Sequence, residues 1–171
     1  NYFHHKKILP IKVDKFRKLH KIDKNKFIIL LPGRLTYWKG QKIFIEAIKI
    51  LSEREGTTSL ETIILGSEQG RNLYKKQLAG LVEQYRLNKI IKFIDHCEEM
   101  PVIYKMANLV CSCSYEPESF GRVSVEAQSM EVPVVSSNIG GSIETIIKDK
   151  TGFLFKSGDS NVLADTITMI M

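Results

Sequence analysis

The sequence predicts a Rossmann-like α/β/α domain, in which helices cover both faces of a six-stranded, mostly parallel sheet. Short apolar runs alternate with segments of helical spacing between residues 26 and 171. Several of these runs are continuously apolar, as in strands buried on both faces. Helical crossovers of this kind join parallel strands with a right-handed turn. Ligands of such sheets bind beyond the carboxyl ends of the strands, so the loops at that edge are expected to hold the ligand site.

The strands are predicted from apolar runs that turn-forming residues close. Phe27–Leu31 ends at Pro32-Gly33, and the run at 60–65 ends at Gly66. A Pro or a Gly stops a ladder because of its special backbone geometry. The predicted strands are residues 27–31, 60–65, 90–94, 109–113, 132–135 and 152–155.

The helices are predicted from the period of 3.6 residues. In residues 40–54, for example, Ile43, Ala47, Ile50 and Leu51 share one face. Pro101 suits the first turn of a helix at 100–106, where its missing N–H costs nothing. The predicted helices are residues 40–54, 73–86, 100–106, 123–130 and 142–147, and a last one from residue 161 onward.

Residues 1–25 are polar, basic and poorly periodic, and they are expected to form a linker or hinge that leads into a domain at 26–171. Residues 1–60 hold 14 lysines and arginines against 5 acidic residues, whereas residues 61–171 hold 11 against 14. The basic strip is either a solvated surface or an attraction to an anionic membrane surface. Nucleic acid is not expected as a partner, because no recognition motif or aromatic platform accompanies the lysines.

The three cysteines do not form a disulfide framework, which favours a reducing compartment. Cys111 and Cys113 alternate along a strand and are expected to be buried thiols. With no signal peptide or membrane-spanning run, the expected location is the cytoplasm, with peripheral contact at the inner face of a membrane as an alternative. The chain lacks an initial Met and stops within a helical pattern, so a piece of a longer protein is expected.

Two loops of the predicted ligand edge carry the chemistry. Arg34 and Lys39 follow the first strand, and two such cations can clamp a diphosphate from two sides. Glu118 leaves the fourth strand, and Glu126 lies about one turn into the next helix, whose free N-terminal amides bind anions. Taken singly, the cations could be solvated loop residues and the acids surface residues. Trp38 is expected to pack on the first helix.

Two further loops are less specific. Gly140-Gly141 permits a tight turn and a close approach to a ligand, or is simply a turn into a helix. Asp95-His96 could line a base pocket, although a solvated turn is the simpler interpretation.

Taken together, these residues resemble the donor-binding half of the group 1 glycosyltransferases, the large retaining family (family four) with the GT-B architecture of two Rossmann domains. The family's G-R-L-x-x-x-K-G is similar to residues 33–40, and its E-x7-E motif to residues 118–126. Further segments follow in the family's order: Leu9–Phe16, Pro133–Val135, Gly140–Glu144 and Thr151–Leu154. Lys12, Asp95 and Glu131 depart from the family's usual glycines.

The resemblance implies roles for the side chains. It gives catalytic roles to Arg34 and Lys39, which would hold the donor diphosphate, and to Glu118, which would sit beside the transferred sugar. Glu126 would accept hydrogen bonds from the ribose hydroxyls. No metal and no cofactor are expected, because fixed cations and helix amides would stabilise the leaving diphosphate.

The same resemblance assigns roles to main-chain groups. Amides near Phe120 and Gly121 would face the sugar hydroxyls, and those near Arg122 and Val123 the phosphates. The donor would be a nucleoside diphosphate sugar, such as a UDP-sugar, and transfer would proceed with retention. An N-terminal Rossmann domain would carry the acceptor site, so these 171 residues alone are expected to be inactive.

Three other functions compete with this interpretation, one of which is a basic adaptor that binds membrane or nucleic acid through residues 6–26. The chain could be a non-catalytic nucleotide-binding module, which would bind donor without turnover. It could also be a sugar-nucleotide epimerase on the same fold, although the E-x7-E helix argues against that class.

Overall fold

The computed structural model describes residues 2–56, 59–70 and 72–171. Its strands are β1 (Phe27–Pro32), β2 (Leu60–Leu65), β3 (Ile91–Ile94), β4 (Leu109–Ser112), β5 (Val134–Ser137) and β6 (Phe153–Phe155). Its helices are α1 (Pro10–His20), α2 (Gln41–Glu55), α3 (Asn72–Gln84), α4 (Met100–Met106), α5 (Arg122–Ser129), α6 (Ser142–Thr145) and α7 (Ser160–Ile170).

The six strands form one sheet in the order β3-β2-β1-β4-β5-β6, and every neighbouring pair is parallel. The predicted Rossmann-like fold is confirmed, and the sheet is wholly parallel among its six strands. The strand order reverses between β1 and β4, because the chain first builds outward from β1 on one side and then on the other. In such sheets the crevice at the reversal point is where ligands bind.

Helices cover both faces of the sheet, as β1 shows. Ile29 and Leu31 point into a core shared with α2, α3 and α7. Ile28 and Leu30 point into a second core shared with α4 and α5. All four side chains are 3% exposed or less, which is why this strand is apolar at every position.

The predicted element boundaries differ most at the fifth strand. The apolar run predicts a strand that starts at Val132, but β5 runs from Val134 to Ser137. Its last two residues are serines with buried side chains, and Ser136 Oγ donates a 2.8 Å hydrogen bond to Ser142 Oγ. Polar residues at a strand end carry no hydrophobic signal, so the pattern placed the strand too early.

The basic segment at the start of the chain contains a helix that the sequence analysis does not predict. In α1, Val13 and Phe16 pack toward α4, and Arg17 donates from Nη2 to the Met106 carbonyl at 3.3 Å. Ile22 then enters the second core. The described part of the predicted linker, residues 2–25, is therefore largely structured and lies on the domain, while the boundary between linker and domain stays a prediction.

Cys111 and Cys113 are both buried free thiols, as predicted. Burial raises the pKa of both thiols, so they remain protonated at neutral pH. Within the described ranges, no helix combines the length and apolarity that crossing a bilayer requires.

Candidate nucleotide-sugar site

The loops after β1 and β4 meet at the point where the strand order reverses. Gly40, at the end of the β1 loop, has φ +71°, and a Cβ there would lie 1.8 Å from the Cys113 carbonyl oxygen. Only glycine permits this contact between backbones. The two loops that carry the candidate side chains are thereby held against each other.

The two cations of the β1 loop share an aromatic neighbour. Lys39 Nζ lies 4.5 Å from the centre of the Trp38 ring, and Arg34 Cζ lies 5.8 Å from it. A cation over an indole face is stabilised electrostatically. Gln41 Nε2 donates to the Arg34 carbonyl at 2.9 Å and secures the loop from the side of α2. Trp38 therefore lies among the candidate cations and lines the cleft.

Glu118 and Lys39 form an ion pair in the cleft wall. Lys39 Nζ is 2.7 Å from Glu118 Oε1, and the two side chains are only 13% and 19% exposed. Ser114 Oγ also donates to this carboxylate oxygen. The pair balances its own charge, and the lysine remains at the cleft surface beside the glutamate.

The N-terminus of α5 opens between the two glutamates. Gly121 is its N-cap, with φ +67°, and supplies no side chain to cap the first amides. The first amides of a helix lack intrahelical acceptors and carry the positive end of its dipole. Arg122 and Val123, the first two residues of α5, line the cleft. This end of the helix is suited to an anion.

Glu126 is one turn further along α5 and faces the same cleft. Its Oε2 accepts a 2.8 Å hydrogen bond from the hydroxyl of Tyr104, a fully buried residue of α4. Burial, and next the charge of Glu126, raise the pKa of Tyr104. The hydroxyl therefore stays protonated and remains a donor to the carboxylate.

The glycine pair after β5 supports the Glu118 loop from behind. Gly141 N donates to the Glu118 carbonyl at 2.7 Å. A Cβ on Gly140, whose φ is +57°, would lie 2.6 Å from the Glu118 amide nitrogen and carbonyl oxygen. A Cβ on Gly141 would lie 2.6 Å from the Phe120 carbonyl carbon. The pair thus allows backbone to pack on backbone, and it shapes the site without lining the cleft.

The resulting cleft has a volume of about 480 Å³. Six of the eight predicted site residues line it: Arg34, Lys39, Glu118, Arg122, Val123 and Glu126. Phe120 and Gly121 do not line it. Phe120 is 59% exposed beside the cleft, and Gly121 is buried at the start of α5.

The remaining walls come from residues that the sequence analysis either set aside or did not consider. His96 lines the cleft, but Asp95 does not, and Asp95 forms an ion pair with Lys75 instead. Trp38, expected only to pack on α2, is a wall residue. Tyr104 and Cys97 were missed because an isolated Tyr or Cys in a helix or turn carries no sequence signal of a ligand site.

A second cleft of about 360 Å³ lies at the opposite edge of the sheet, near the start of β5 and β6. Ligands of parallel sheets do not bind at that edge. No group of three or more His, Cys, Asp or Glu side chains near enough to bind a metal is found among the described residues.

A family model for "Glycosyl transferases group 1" matches residues 12–171. Among curated proteins, the D-inositol 3-phosphate glycosyltransferase of Corynebacterium efficiens is 31% identical over 146 residues, which are 84% of this chain and 34% of that protein. The chain thus spans about a third of the length of that relative.

Solved structures show the same fold. A glycosyltransferase from Rickettsia africae superposes with a TM-score of 0.93 at 29% identity, covering 99% of this chain and 44% of that one. Anabaena HepE, solved in complex with UDP-glucose, superposes with a TM-score of 0.88 at 30% identity and with the same coverage. Both comparison chains therefore extend well beyond the part that matches.

Proposed function

This chain belongs to the group 1 glycosyltransferases, and from that premise we propose that it is the donor-binding half of a retaining enzyme that uses a nucleoside diphosphate sugar. The observation that carries the proposal is the single cleft at the reversal point of the sheet. Two cations, a helix N-terminus and two glutamates converge on it. The similarity to a protein solved with UDP-glucose supports a UDP-sugar as the donor.

Arg34, Lys39 and the first amides of α5 are assigned to the diphosphate. Arg34 supplies a planar pair of donors, Lys39 a point charge, and the amides the positive end of a dipole. As the bond between the sugar and the diphosphate breaks, negative charge grows on the leaving oxygen. Fixed positive groups stabilise that charge more in the transition state than in the ground state. This is the basis for proposing transfer without a metal.

Glu126 is assigned to the ribose and Glu118 to the transferred sugar. Both carboxylates are acceptors only, which suits them to sugar hydroxyls. Glu118 already accepts from Ser114 and is paired with Lys39, so it is proposed as a binding and electrostatic group and not as a covalent nucleophile. The acceptor is assigned to a further Rossmann domain of the longer polypeptide.

Calorimetric titration of the 171-residue chain with UDP and UDP-glucose tests the proposal. Replacing Lys39 by Ala should weaken UDP binding by about tenfold or more, since a hydrogen bond between charged groups contributes about 1.5–3 kcal/mol. Arg34→Ala and Glu126→Ala should also weaken it. Lys42→Ala is the matched control, because Lys42 lies nearby on α2 but pairs with Glu46 outside the cleft.

The competing assignments give different results. A UDP affinity equal to that of the unmodified chain in the Lys39→Ala, Arg34→Ala and Glu126→Ala variants would contradict a donor site in this cleft. An unchanged affinity after EDTA treatment is expected, and a fall would contradict the metal-free proposal. A longer polypeptide that binds UDP-sugars without turnover would favour the non-catalytic module, and conversion of one UDP-sugar into another would favour an epimerase.

A further inference from the structure

Tyr104 is an unusual residue to find beneath a ligand cleft. Its side chain is 0% exposed, yet its hydroxyl reaches the Glu126 carboxylate at 2.8 Å. We infer that Tyr104 is a positioning residue for Glu126, holding that carboxylate in the orientation that receives the ribose hydroxyls of the donor. The inference rests on the proposed function and adds a residue to it.

The hydrogen bond to Glu126 satisfies the buried phenol of Tyr104. A buried tyrosine hydroxyl needs a partner, because leaving it unpaired costs the full desolvation of the group. Of the residues that the structure describes, Glu126 is the acceptor found for Tyr104. The helices that carry the two residues, α4 and α5, are thus joined by a buried bond to a charged group, the stronger kind of hydrogen bond.

The ring of Tyr104 is held in place by its packing. Tyr104 belongs to the core beneath α4 and α5, together with Ile103 and Ala127. Phe3 packs edge-on against the ring, with centroids 5.8 Å apart. A side chain packed in this way keeps one rotamer, so the position of its hydroxyl oxygen is fixed by the core. The fixed oxygen in turn restricts the Glu126 carboxylate.

The carboxylate of Glu126 keeps acceptor sites that Tyr104 does not occupy. Tyr104 occupies Oε2, and no second donor to this carboxylate is found within the described ranges. Glu126 nevertheless lines the cleft, so its remaining acceptor sites are available to a ligand. A free glutamate would lose rotamer freedom on binding a pair of hydroxyls. A carboxylate held beforehand by Tyr104 loses less, which strengthens the recognition of the ribose.

The experiment compares two ligands in two proteins. UDP and 2′,3′-dideoxy-UDP differ only in the ribose hydroxyls, so the ratio of their dissociation constants isolates ribose recognition. In the 171-residue chain we expect UDP to bind about tenfold or more tightly than the dideoxy analogue, as a charged hydrogen bond predicts. In the Tyr104→Phe variant, which lacks one oxygen and keeps the ring, we expect UDP to bind no more than about threefold more tightly than the dideoxy analogue.

A merely structural role for Tyr104 would not change this ratio. Both ligands bind the same folded population, so partial unfolding of a variant weakens both equally. Tyr85→Phe is the matched control, because Tyr85 is only partly buried and packs against the core on the other face of the sheet. Its ratio should equal that of the unmodified chain.

A second variant covers the case in which Tyr104→Phe does not fold. Phe3→Ala removes the ring that packs against Tyr104 but keeps the Tyr104 hydroxyl. It should lower the ratio of the two dissociation constants by a smaller amount than Tyr104→Phe does. A ratio in the Tyr104→Phe variant equal to that of the unmodified chain would overturn the inference and leave the proposed function standing. If only Phe3→Ala folds, an unchanged ratio in that variant would do the same. A ratio near one in the unmodified chain would instead remove the ribose role of Glu126, and the inference with it.

Discussion

At the scale of single residues, the site depends on glycines as much as on charges. Gly140 lies at φ +57°, a region that costs a residue with a side chain about 1–3 kcal/mol. Its missing Cβ is also what allows the Glu118 backbone to approach. The sequence alone left open whether the pair shapes a site or a simple turn. The structure shows that the turn supports the loop that carries Glu118.

Gly140→Ala should therefore lower both stability and affinity. We expect a loss of about 1–3 kcal/mol from the backbone conformation, together with displacement of the Glu118 loop and weaker UDP binding. Gly80→Ala is the control: Gly80 lies within α3, and a Cβ there would meet nothing within 4 Å. That change should stabilise the protein by about 0.5–1 kcal/mol. Chemical denaturation measures both, and equal stability of the two variants would contradict the argument.

Trp38 is a further residue of the site, and its contacts with the two cations are electrostatic. Its ring lies near both Lys39 and Arg34, so the indole face can stabilise both cations of the loop. Trp38→Leu should weaken UDP binding by roughly twofold to thirtyfold, since cation–π contacts contribute about 0.5–2 kcal/mol. Tyr85→Leu removes a comparable contact with Lys49, 5.4 Å from the ring and outside the cleft, and should leave UDP affinity unchanged. Equal affinities of the two variants would show that Trp38 only fills space.

At the scale of elements, hydrophobic period was enough to predict the six strands and the helices α2 to α7. The predicted runs are buried on one or both faces, so tertiary packing and local pattern agree. The helix α1 was missed because its exposed face is basic and its buried face is only partly covered. What holds it is long-range: Lys92 Nζ lies 2.6 Å from the buried Glu61 carboxylate and also donates to the Lys21 carbonyl. No local pattern contains such contacts.

Part of the candidate site could likewise be predicted from the sequence, and part could not. Arg34, Lys39, Glu118 and Glu126 could be predicted because strand ends identify the ligand edge and charge identifies the chemistry. Tyr104 could not, since its contact with Glu126 joins two helices across 22 positions of sequence. The support of Glu118 by Gly141 likewise depends on two loops that meet only in the fold.

The exposed face of α1 gives a prediction about the membrane as a partner. Ile11, Lys15, Lys18 and Leu19 recur at helical spacing, and all four are exposed. Each lysine near an anionic bilayer contributes about 1 kcal/mol, so Lys15→Glu with Lys18→Glu should lower binding to phosphatidylserine vesicles by about tenfold or more. Sedimentation with vesicles at low and high salt measures this. Lys42→Glu with Lys49→Glu on α2 is matched in charge, and an equal loss in both double variants would show a general charge effect only.

At the scale of the whole molecule, the cleft is lined by residues of this one domain. It is open to solvent, with Phe120 exposed at its margin. In water, the interactions that stabilise a leaving diphosphate are weaker than in an enclosed site. The comparison chains are more than twice as long as the part that matches this chain. Such proteins therefore have further residues that could cover the open side of the cleft. Binding and turnover are therefore expected to separate between these 171 residues and the proposed longer polypeptide.

The 171-residue chain should bind UDP-glucose but release almost no UDP from it. A positioned acceptor and exclusion of water account for much of the rate of a transfer reaction, because they replace an encounter in solution by a fixed geometry.

A polypeptide that adds the N-terminal Rossmann domain should release UDP in the presence of its acceptor. The product should keep the anomeric configuration of the donor, which NMR of the transferred sugar detects. Glu118→Ala in the longer polypeptide serves as the inactive reference. Release of UDP by the 171 residues at the rate of the longer polypeptide would mean that this half alone holds the whole reaction, and an inverted product would exclude the retaining mechanism.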